Sequence, residues 1–202
     1  MAPLTSMSKN LSGKTILITG ASSGIGRSTA FEFARTSPSS LKLILTARRI
    51  DRLHEISSQI QQEVGSGVRI YVKQLDVSKP EEVENLIDSL PEEFRDVDVL
   101  VNNAGFMSGV ERAPDIPADV IRDVWATNVT GTINMTQAVL KIFKTREPYA
   151  GGSIYCSSKA AVRAFADALR KELINTRIRV MSVDPGQVLT VRAQNYPYLT
   201  IK

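Results

Sequence analysis

The sequence predicts an α/β fold in which a doubly wound parallel sheet forms one domain across residues 1–202. Two observations predict this fold. Runs rich in branched apolar residues alternate along the chain with stretches of helical periodicity, which is the pattern of consecutive β-α-β units. The composition is also that of an ordinary globular domain, because 43% of the 202 residues are apolar and 23% are charged.

The predicted strands and helices follow one another in chain order. The strands are expected at residues 15–19, 41–46, 68–75, 97–101 and 178–183. The helices are expected at residues 24 to about 35, 51–64, 80–90, 118 to about 143, and 154–176. Pro80, which stands in the first turn of its helix and is followed by acidic residues, favours a helix start at that position.

One strand is missing from this alternation. After the helix of residues 118–143 a strand should follow, yet residues 144–153 (KTREPYAGGS) contain a single β-branched residue, Thr145. They also contain Pro148, which removes a donor from a strand ladder, and the pair Gly151-Gly152, which has no side chains to pack. We therefore expect this segment to lack a proper sheet strand.

Charge and cysteine content argue against nucleic-acid, metal and membrane binding. The net charge of +4 divides into +6, −7, 0 and +5 over residues 1–50, 51–100, 101–150 and 151–202, without a basic stripe. Cys156 is the single cysteine and His54 the single histidine, so neither a disulfide nor a Cys/His metal site is expected. The first ten residues hold no apolar signal segment, and no apolar run approaches the roughly 18 residues of a membrane span. We therefore expect a cytoplasmic protein.

Residues 19–26 (TGASSGIG) form a glycine-rich turn between the first predicted strand and the first helix. Glycine permits a tight turn and a close backbone approach, so that N–H groups at the start of the helix can face a pyrophosphate. A turn at this position is typical of a Rossmann-type dinucleotide site, although the glycines are spaced four and two apart and not as G-x-G-x-x-G. An ordinary turn without a ligand is the alternative.

The end of the second predicted strand carries Arg48 and Arg49 where an acidic residue would bind a ribose 2′-hydroxyl. Guanidinium groups suit a 2′-phosphate, because they form charge-assisted, bidentate hydrogen bonds with it. These residues predict NADP as the cofactor, with a solvated loop pair as the alternative. Asp76, after the third strand, is expected to accept a hydrogen bond from an adenine amino group.

Six motifs together resemble the short-chain dehydrogenase/reductase family over residues 11–190. They are TGASSGIG at 19–26, Asp76-Val77, NNAG at 102–105, Asn128, Tyr155-x-x-x-Lys159, and PGQVLT at 185–190. Within the family the chain is similar to fungal and bacterial NADP-dependent enzymes that oxidise 3-hydroxy acids such as serine and allo-threonine. The resemblance implies a Rossmann fold, NADP(H), and hydride transfer between the nicotinamide and a small hydroxy or carbonyl substrate.

Tyr155 and Lys159 lie one helical turn apart, and therefore on one face of their helix. An ammonium near a phenol lowers the phenol pKa from about 10 toward neutrality, so Tyr155 can act as a general acid or base. An accidental surface pair is the alternative. The resemblance further implies that Lys159 holds the nicotinamide ribose and that Asn128 supports a proton relay through water. The cofactor contacts that we expect are Gly20, Ser22, Ser23, Gly24, Ile25, Gly26, Arg48, Arg49, Asp76, Asn103, Ala104, Gly105, Tyr155, Lys159, Pro185, Gly186, Val188 and Thr190.

The chain departs from the family in two places. The family has a strand that ends in a serine, which donates to the substrate carbonyl, whereas Phe143 and its neighbours include no serine. After Thr190 only twelve residues remain, where the family continues with a helix pair and a last strand. We expect the strand at 178–183 then to form an uncovered sheet edge. Two hypotheses follow: an NADP(H)-dependent oxidoreductase that acts on a hydroxy/carbonyl pair, or a catalytically impaired or inactive NADP(H)-binding remnant or splice variant. From the missing strand and serine we expect weak or absent catalysis. By analogy with the family, the helices around Asn128 and Tyr155 form a homo-oligomer.

Overall fold

A computed structural model describes residues 10–107, 111–113, 115–141, 153–176 and 180 of the chain. The chain divides into two compact units, and each is described by itself. The first comprises Met1–Gly109 and Pro117–Thr145, and the second comprises Val110–Ile116 and Arg146–Lys202.

The first unit is built on a four-stranded sheet in which all neighbours are parallel. The strands stand in the order β3-β2-β1-β4. Their bounds are β1 Thr15–Thr19, β2 Lys42–Ala47, β3 Arg69–Gln74 and β4 Val99–Val101. Leu17, at the centre of β1, lies opposite Ile44 on one side and Leu100 on the other. The order reverses at β1, which is the topology of the predicted doubly wound fold.

Helices connect and flank these strands in the first unit. They are α1 Gly24–Thr36, α2 Ile50–Val64, α3 Pro80–Glu84, α4 Ala118–Trp125 and α5 Thr132–Leu140, with a 3-10 turn at Glu92–Phe94 and a π-helical segment at Ala126–Gly131.

Alternate residues of β1 enter two different hydrophobic cores. Ile16 and Ile18 pack in a cluster with residues of α1 and α2 such as Ala30 and Leu53. Leu17 belongs to a second cluster, which includes Met135 of α5. Because both faces of the strand are buried, β1 and β2 are near-continuous apolar runs instead of alternating ones.

Two predicted helices differ from those observed. The helix expected at 80–90 ends at Glu84, and the following residues form turns in which Asn85 Nδ2 donates to Glu81 O and Ser89 Oγ donates to Leu86 O. Such local side-chain bonds compete with helical ones, while Leu90 remains buried. The helix expected at 118–143 is instead divided by the π-helical segment, and α5 ends at Leu140.

The predicted strand at 97–101 is also shorter than expected, since β4 begins at Val99. The first predicted strand is confirmed at both ends, and those at 41–46 and 68–75 are confirmed with bounds that differ by one residue. The segment at 144–152 and the predicted strand at 178–183, apart from Val180, lie outside the described residues.

The second unit contains one long helix among its described residues, α6 Ser153–Glu172. It ends four residues before the predicted end, in a turn where Thr176 N–H donates to Leu173 O at 2.9 Å. Glu172 Oε2 accepts a hydrogen bond from the Ala113 N–H at 3.1 Å. Across the part of the chain that the structure describes, no helix is both long and apolar enough to span a membrane.

Candidate cofactor-binding site

A cleft opens at the carboxyl ends of the four parallel strands. This is where an open α/β sheet binds its ligand, because the helix N-termini and the loops that follow the strands meet there. The residues that line it are Gly20, Ser22, Ser23, Ala47, Arg48, Arg49, Leu75, Asp76, Val77, Ala104, Gly105, Phe106 and Thr127.

The glycine-rich turn packs directly against the chain that leaves β4. Gly20 has φ +65°, and a Cβ built there would lie 2.8 Å from Ala104 Cα and 2.9 Å from Asn103 Nδ2. A Cβ on Gly26 would collide with the same Asn103 amide. Glycine therefore permits the close approach at both positions, and at Gly20 it also permits the left-handed backbone.

Thr19 and Asn103 hold that contact together. Thr19 Oγ1 accepts hydrogen bonds from the N–H groups of Asn103 and Ala104, both at 3.0 Å. In return, Asn103 Nδ2 donates to Thr19 O at 2.9 Å and to Gly20 O at 3.1 Å. Asn103 was expected to bind cofactor, but its amide here fixes the turn, and it does not line the cleft. The role of the Thr19 hydroxyl was not predicted, although Thr19 begins the quoted motif.

Arg48 and Arg49 both line the cleft but differ in their contacts. Arg49 Nη2 donates to Ser22 Oγ and to Ser23 Oγ, each at 2.9 Å, and so links the end of β2 to the glycine-rich turn. The Arg48 side chain is exposed and makes no hydrogen bond or ion pair with any described residue. Its backbone carbonyl accepts a hydrogen bond from Gln74 Nε2 at 3.1 Å. One guanidinium therefore builds the wall of the cleft, and the other is available to an anion.

Asp76 lines the cleft two residues beyond the end of β3. In the sheet, β2 separates β3 from β1, the strand that the glycine-rich turn follows. Its Oδ1 accepts hydrogen bonds from the Ser78 N–H at 3.0 Å and the Ser78 hydroxyl at 2.7 Å. Its Oδ2 accepts none from the described part of the chain. Asp76 thus keeps one carboxylate oxygen for a donor on a ligand, as the prediction of an adenine contact requires.

Asn128 lies within the π-helical segment and is committed to the backbone of Phe106. Its Oδ1 accepts the Phe106 N–H at 2.9 Å, and its Nδ2 donates to Phe106 O at 2.8 Å. A Cβ on Gly105 would lie 3.2 Å from Asn128 Oδ1. The amide that the resemblance assigns to a proton relay therefore fixes the cleft loop 105–106 in this structure. Neither Phe106 nor Thr127 was predicted, and each is adjacent to a residue that was.

Of the other predicted residues, three begin α1, two belong to the second unit, and four lie outside the described part of the chain. Gly24, Ile25 and Gly26 open α1, and Ile25 is 79% exposed. Tyr155 and Lys159 lie one turn apart in α6, in the second unit. Four residues lie outside the described part of the chain: Pro185, Gly186, Val188 and Thr190.

Comparison with known proteins identifies the family. The family model described as short chain dehydrogenase matches residues 14–197, so the chain belongs to the short-chain dehydrogenase family. Among curated relatives it is 47% identical to the NADP-dependent 3-hydroxy acid dehydrogenase of Schizosaccharomyces pombe, with 89% of this chain and 73% of that protein covered. It is 35% identical to the serine 3-dehydrogenase of Rhizobium radiobacter, with 87% and 72% covered.

Solved structures agree with the predicted fold. The closed form of a serine dehydrogenase complexed with NADP+ is 35% identical and has a TM-score of 0.58, covering 82% of this chain and 69% of that one. The L-sorbose reductase of Gluconobacter frateurii, complexed with NADPH and L-sorbose, is 31% identical and has a TM-score of 0.61, covering 90% and 72%. The predicted α/β fold and family are thereby confirmed.

Proposed function

We propose that the chain binds NADP(H) in this cleft and is an oxidoreductase that interconverts a small hydroxy compound, of the 3-hydroxy acid class, and its carbonyl form. The relatives named for NADP and for 3-hydroxy acids or serine support this proposal. The observation that carries it is the Arg48 guanidinium, which has no described partner and stands where an acid would select NAD.

The residues that line the cleft fit a phosphorylated dinucleotide. A pyrophosphate needs a tight, closely packed turn beside it, and the absence of a Cβ on Gly20 lets the glycine-rich turn pack against Ala104 at the wall of the cleft. The Ser22 and Ser23 hydroxyls accept from Arg49, and each keeps its own proton for a phosphate oxygen. Arg48 adds a cation for the 2′-phosphate, and Asp76 an acceptor for the adenine amino group.

In the proposed reaction the bound nicotinamide supplies or accepts the hydride. Tyr155 gives a proton to the substrate oxygen in carbonyl reduction and takes it back in alcohol oxidation. Lys159, one turn later in α6, favours the phenolate of Tyr155 by its charge. Asn128 holds the backbone of Phe106, which lines the cleft, in place.

Cofactor titration tests the proposal. A charged hydrogen bond to phosphate contributes about 1.5–3 kcal/mol, so NADPH should bind at least about tenfold more tightly than NADH. Arg48→Ala should abolish that preference. Arg52→Ala is the matched control, because it removes an exposed arginine of α2 that pairs with Glu55. Equal affinities for the two cofactors, or unchanged NADPH binding in Arg48→Ala, would contradict the proposal.

The chemical step has its own test. Purified protein should reduce NADP+ in the presence of serine or another 3-hydroxy acid, and Tyr155→Phe should remove this turnover while NADPH still binds. Turnover that is unchanged in Tyr155→Phe would exclude Tyr155 as the proton-transfer residue.

We also propose a cytoplasmic homo-oligomer. A single cysteine cannot form an internal disulfide, which suits a reducing compartment. Ile121 and Trp125, spaced by one turn of α4, are 48% and 43% exposed and offer an apolar surface for association. Sedimentation velocity should show a species larger than the 22.2 kDa monomer, and a stable monomer would contradict the assembly.

A further inference from the structure

Asp76 is held in place by hydrogen bonds with residues that lie outside the cofactor motifs. Ser78 donates twice to Asp76 Oδ1, from its backbone N–H and from its hydroxyl. The turn is closed by the Lys79 N–H, which donates to Asp76 O at 3.0 Å. These bonds occupy one oxygen of the carboxylate and fix its orientation, which leaves Oδ2 as the oxygen for a ligand.

Glu82 fixes the backbone of the same residue. Its Oε2 accepts the Asp76 N–H at 2.8 Å, across six positions of sequence. Its Oε1 accepts from Lys79 Nζ at 2.9 Å. The Asp76 N–H and the Lys79 ammonium hold the pKa of Glu82 below its usual range, so the carboxylate stays charged at neutral pH.

Glu82 also binds the ammonium of Lys79, a cation that follows Asp76 by three residues. The hydrogen bond to Glu82 and its charge raise the pKa of Lys79, and the charges of Asp76 and Glu81 add to this. Without Glu82, the carboxylates that still act on that ammonium are those of Asp76 and Glu81. A lysine on Oδ2 would then compete with any amino group that a ligand presents.

We propose that Glu82 and Ser78 are positioning residues that make Asp76 selective for an adenine base. This inference rests on the proposed function, since it assumes that the cofactor adenine reaches Asp76. An amino group donates to a carboxylate oxygen, whereas the carbonyl of hypoxanthine at the same ring position is an acceptor and leaves that oxygen unpaired. Glu82 and Ser78 act through the orientation of Asp76 and touch no ligand themselves.

The experiment compares NADPH with its hypoxanthine analogue, reduced nicotinamide hypoxanthine dinucleotide phosphate. The protein should bind NADPH about 10-fold to 100-fold more tightly than the analogue, the range for a hydrogen bond to a charged group. Glu82→Ala should lower this base preference at least about fivefold and leave the NADPH-to-NADH preference, which belongs to Arg48, unchanged. A purely structural role would lower both affinities together and would not change their ratio.

Three further variants sharpen the test. Glu84→Ala removes the same charge from the same helix, and the Glu84 side chain has no hydrogen bond or ion pair among the described residues. This variant should therefore prefer adenine over hypoxanthine as strongly as the parent protein does. Lys79→Ala keeps the Glu82 bond to the Asp76 N–H and should also keep the preference. Ser78→Ala should lower it, and this variant decides the question if Glu82→Ala fails to fold.

The outcomes separate the two proposals. Loss of base preference in Glu82→Ala and Ser78→Ala, with Glu84→Ala unchanged, supports the inference. A parent protein that binds NADPH over NADH but does not distinguish the two bases overturns it while the proposed function stands. Equal base preferences in Glu82→Ala and Glu84→Ala overturn it as well. A parent that binds neither dinucleotide phosphate refutes the proposed function itself.

Discussion

Alanine substitutions at three glycines with left-handed backbone can separate two energetic costs at the cleft: the strain of the backbone and the collision of an added Cβ. Gly13, Gly20 and Gly24 have φ values of +74°, +65° and +54°. A Cβ on Gly13 or Gly24 would meet nothing within 4 Å, whereas one on Gly20 would lie 2.8 Å from Ala104 Cα. Alanine at each position therefore adds a similar strain, and at Gly20 alone it adds a collision with backbone.

The expected magnitudes differ accordingly. Left-handed backbone costs an L-residue about 1–2 kcal/mol, so Gly13→Ala and Gly24→Ala should each lower the free energy of unfolding by that amount. Overpacking adds about 1–3 kcal/mol, so Gly20→Ala should cost about 2–5 kcal/mol in total. Because the collision pushes the turn away from the β4 loop, Gly20→Ala should also weaken NADPH binding by about tenfold or more, or 1.4 kcal/mol.

Urea unfolding of the three variants gives the stability values, provided that the m-value stays constant, and fluorescence titration gives the NADPH affinity. Gly13→Ala is the binding control, since Gly13 precedes β1 and lies outside the cleft. If Gly20→Ala and Gly24→Ala lose equal stability, the contact with Ala104 has no energetic weight and the reasoning fails.

Three further predictions concern single side chains. Asn128→Ala removes both hydrogen bonds to Phe106 and should lower the free energy of unfolding by about 1–3 kcal/mol. It should also weaken NADPH binding, and both effects are measured by the same two assays. Unchanged binding would show that the cleft loop keeps its conformation without Asn128. Burial raises the pKa of Asp98, but Lys14 at 2.7 Å and the Thr15 N–H outweigh it and hold that pKa below its usual range. The stability contribution is therefore present above the unfolded value, near 3.9, and is lost as pH falls through the folded one. Asp98→Asn should make the urea midpoint less dependent on pH in the acidic range below about pH 5, and an equally steep profile would assign the loss to other carboxyls. Finally, a chain that lacks a carbonyl-donating serine near Phe143 should turn over about 10²-fold to 10³-fold more slowly than a relative that has one, and inserting a strand with that serine should raise kcat; ordinary rates without the insertion would refute this.

Much of the first unit was predictable because its strands are buried on both faces. The segment Thr15–Thr19 consists of β-branched residues and one leucine between a lysine and a glycine, all five residues are buried, and the predicted strand matches β1 at both ends. The helix predicted at 80–90 was wrong in its second half because apolar periodicity reports burial and not hydrogen bonding. Leu86 and Leu90 are buried as a helix would bury them, yet the backbone there is in turns.

The sequence predicts the residues that face the ligand better than the residues that hold those ligand-facing residues in place. Arg48 and Asp76 follow strand ends, a position that can be read from the sequence. Glu82 reaches Asp76 across a turn, and Gln74 reaches the carbonyl of Arg48 from a neighbouring strand. Such contacts depend on register and turn geometry, which residue identity alone does not determine.

Arg48 and Arg49 are identical neighbours whose side chains have different roles in the fold. Both have the same charge and both line the cleft, but the Arg49 guanidinium is bound to the Ser22 and Ser23 hydroxyls, while the Arg48 guanidinium has no partner among the described residues. Since Arg49 supplies hydrogen to both hydroxyl oxygens, each hydroxyl can donate its own proton elsewhere. The wall that Arg49 builds therefore presents two hydroxyl donors beside Arg48, and hydroxyl donors next to a guanidinium favour a phosphate. Arg49→Ala should then reduce NADPH affinity through the lost serine orientation, whereas Arg48→Ala removes the direct charge, and only the second loss should become smaller as ionic strength rises.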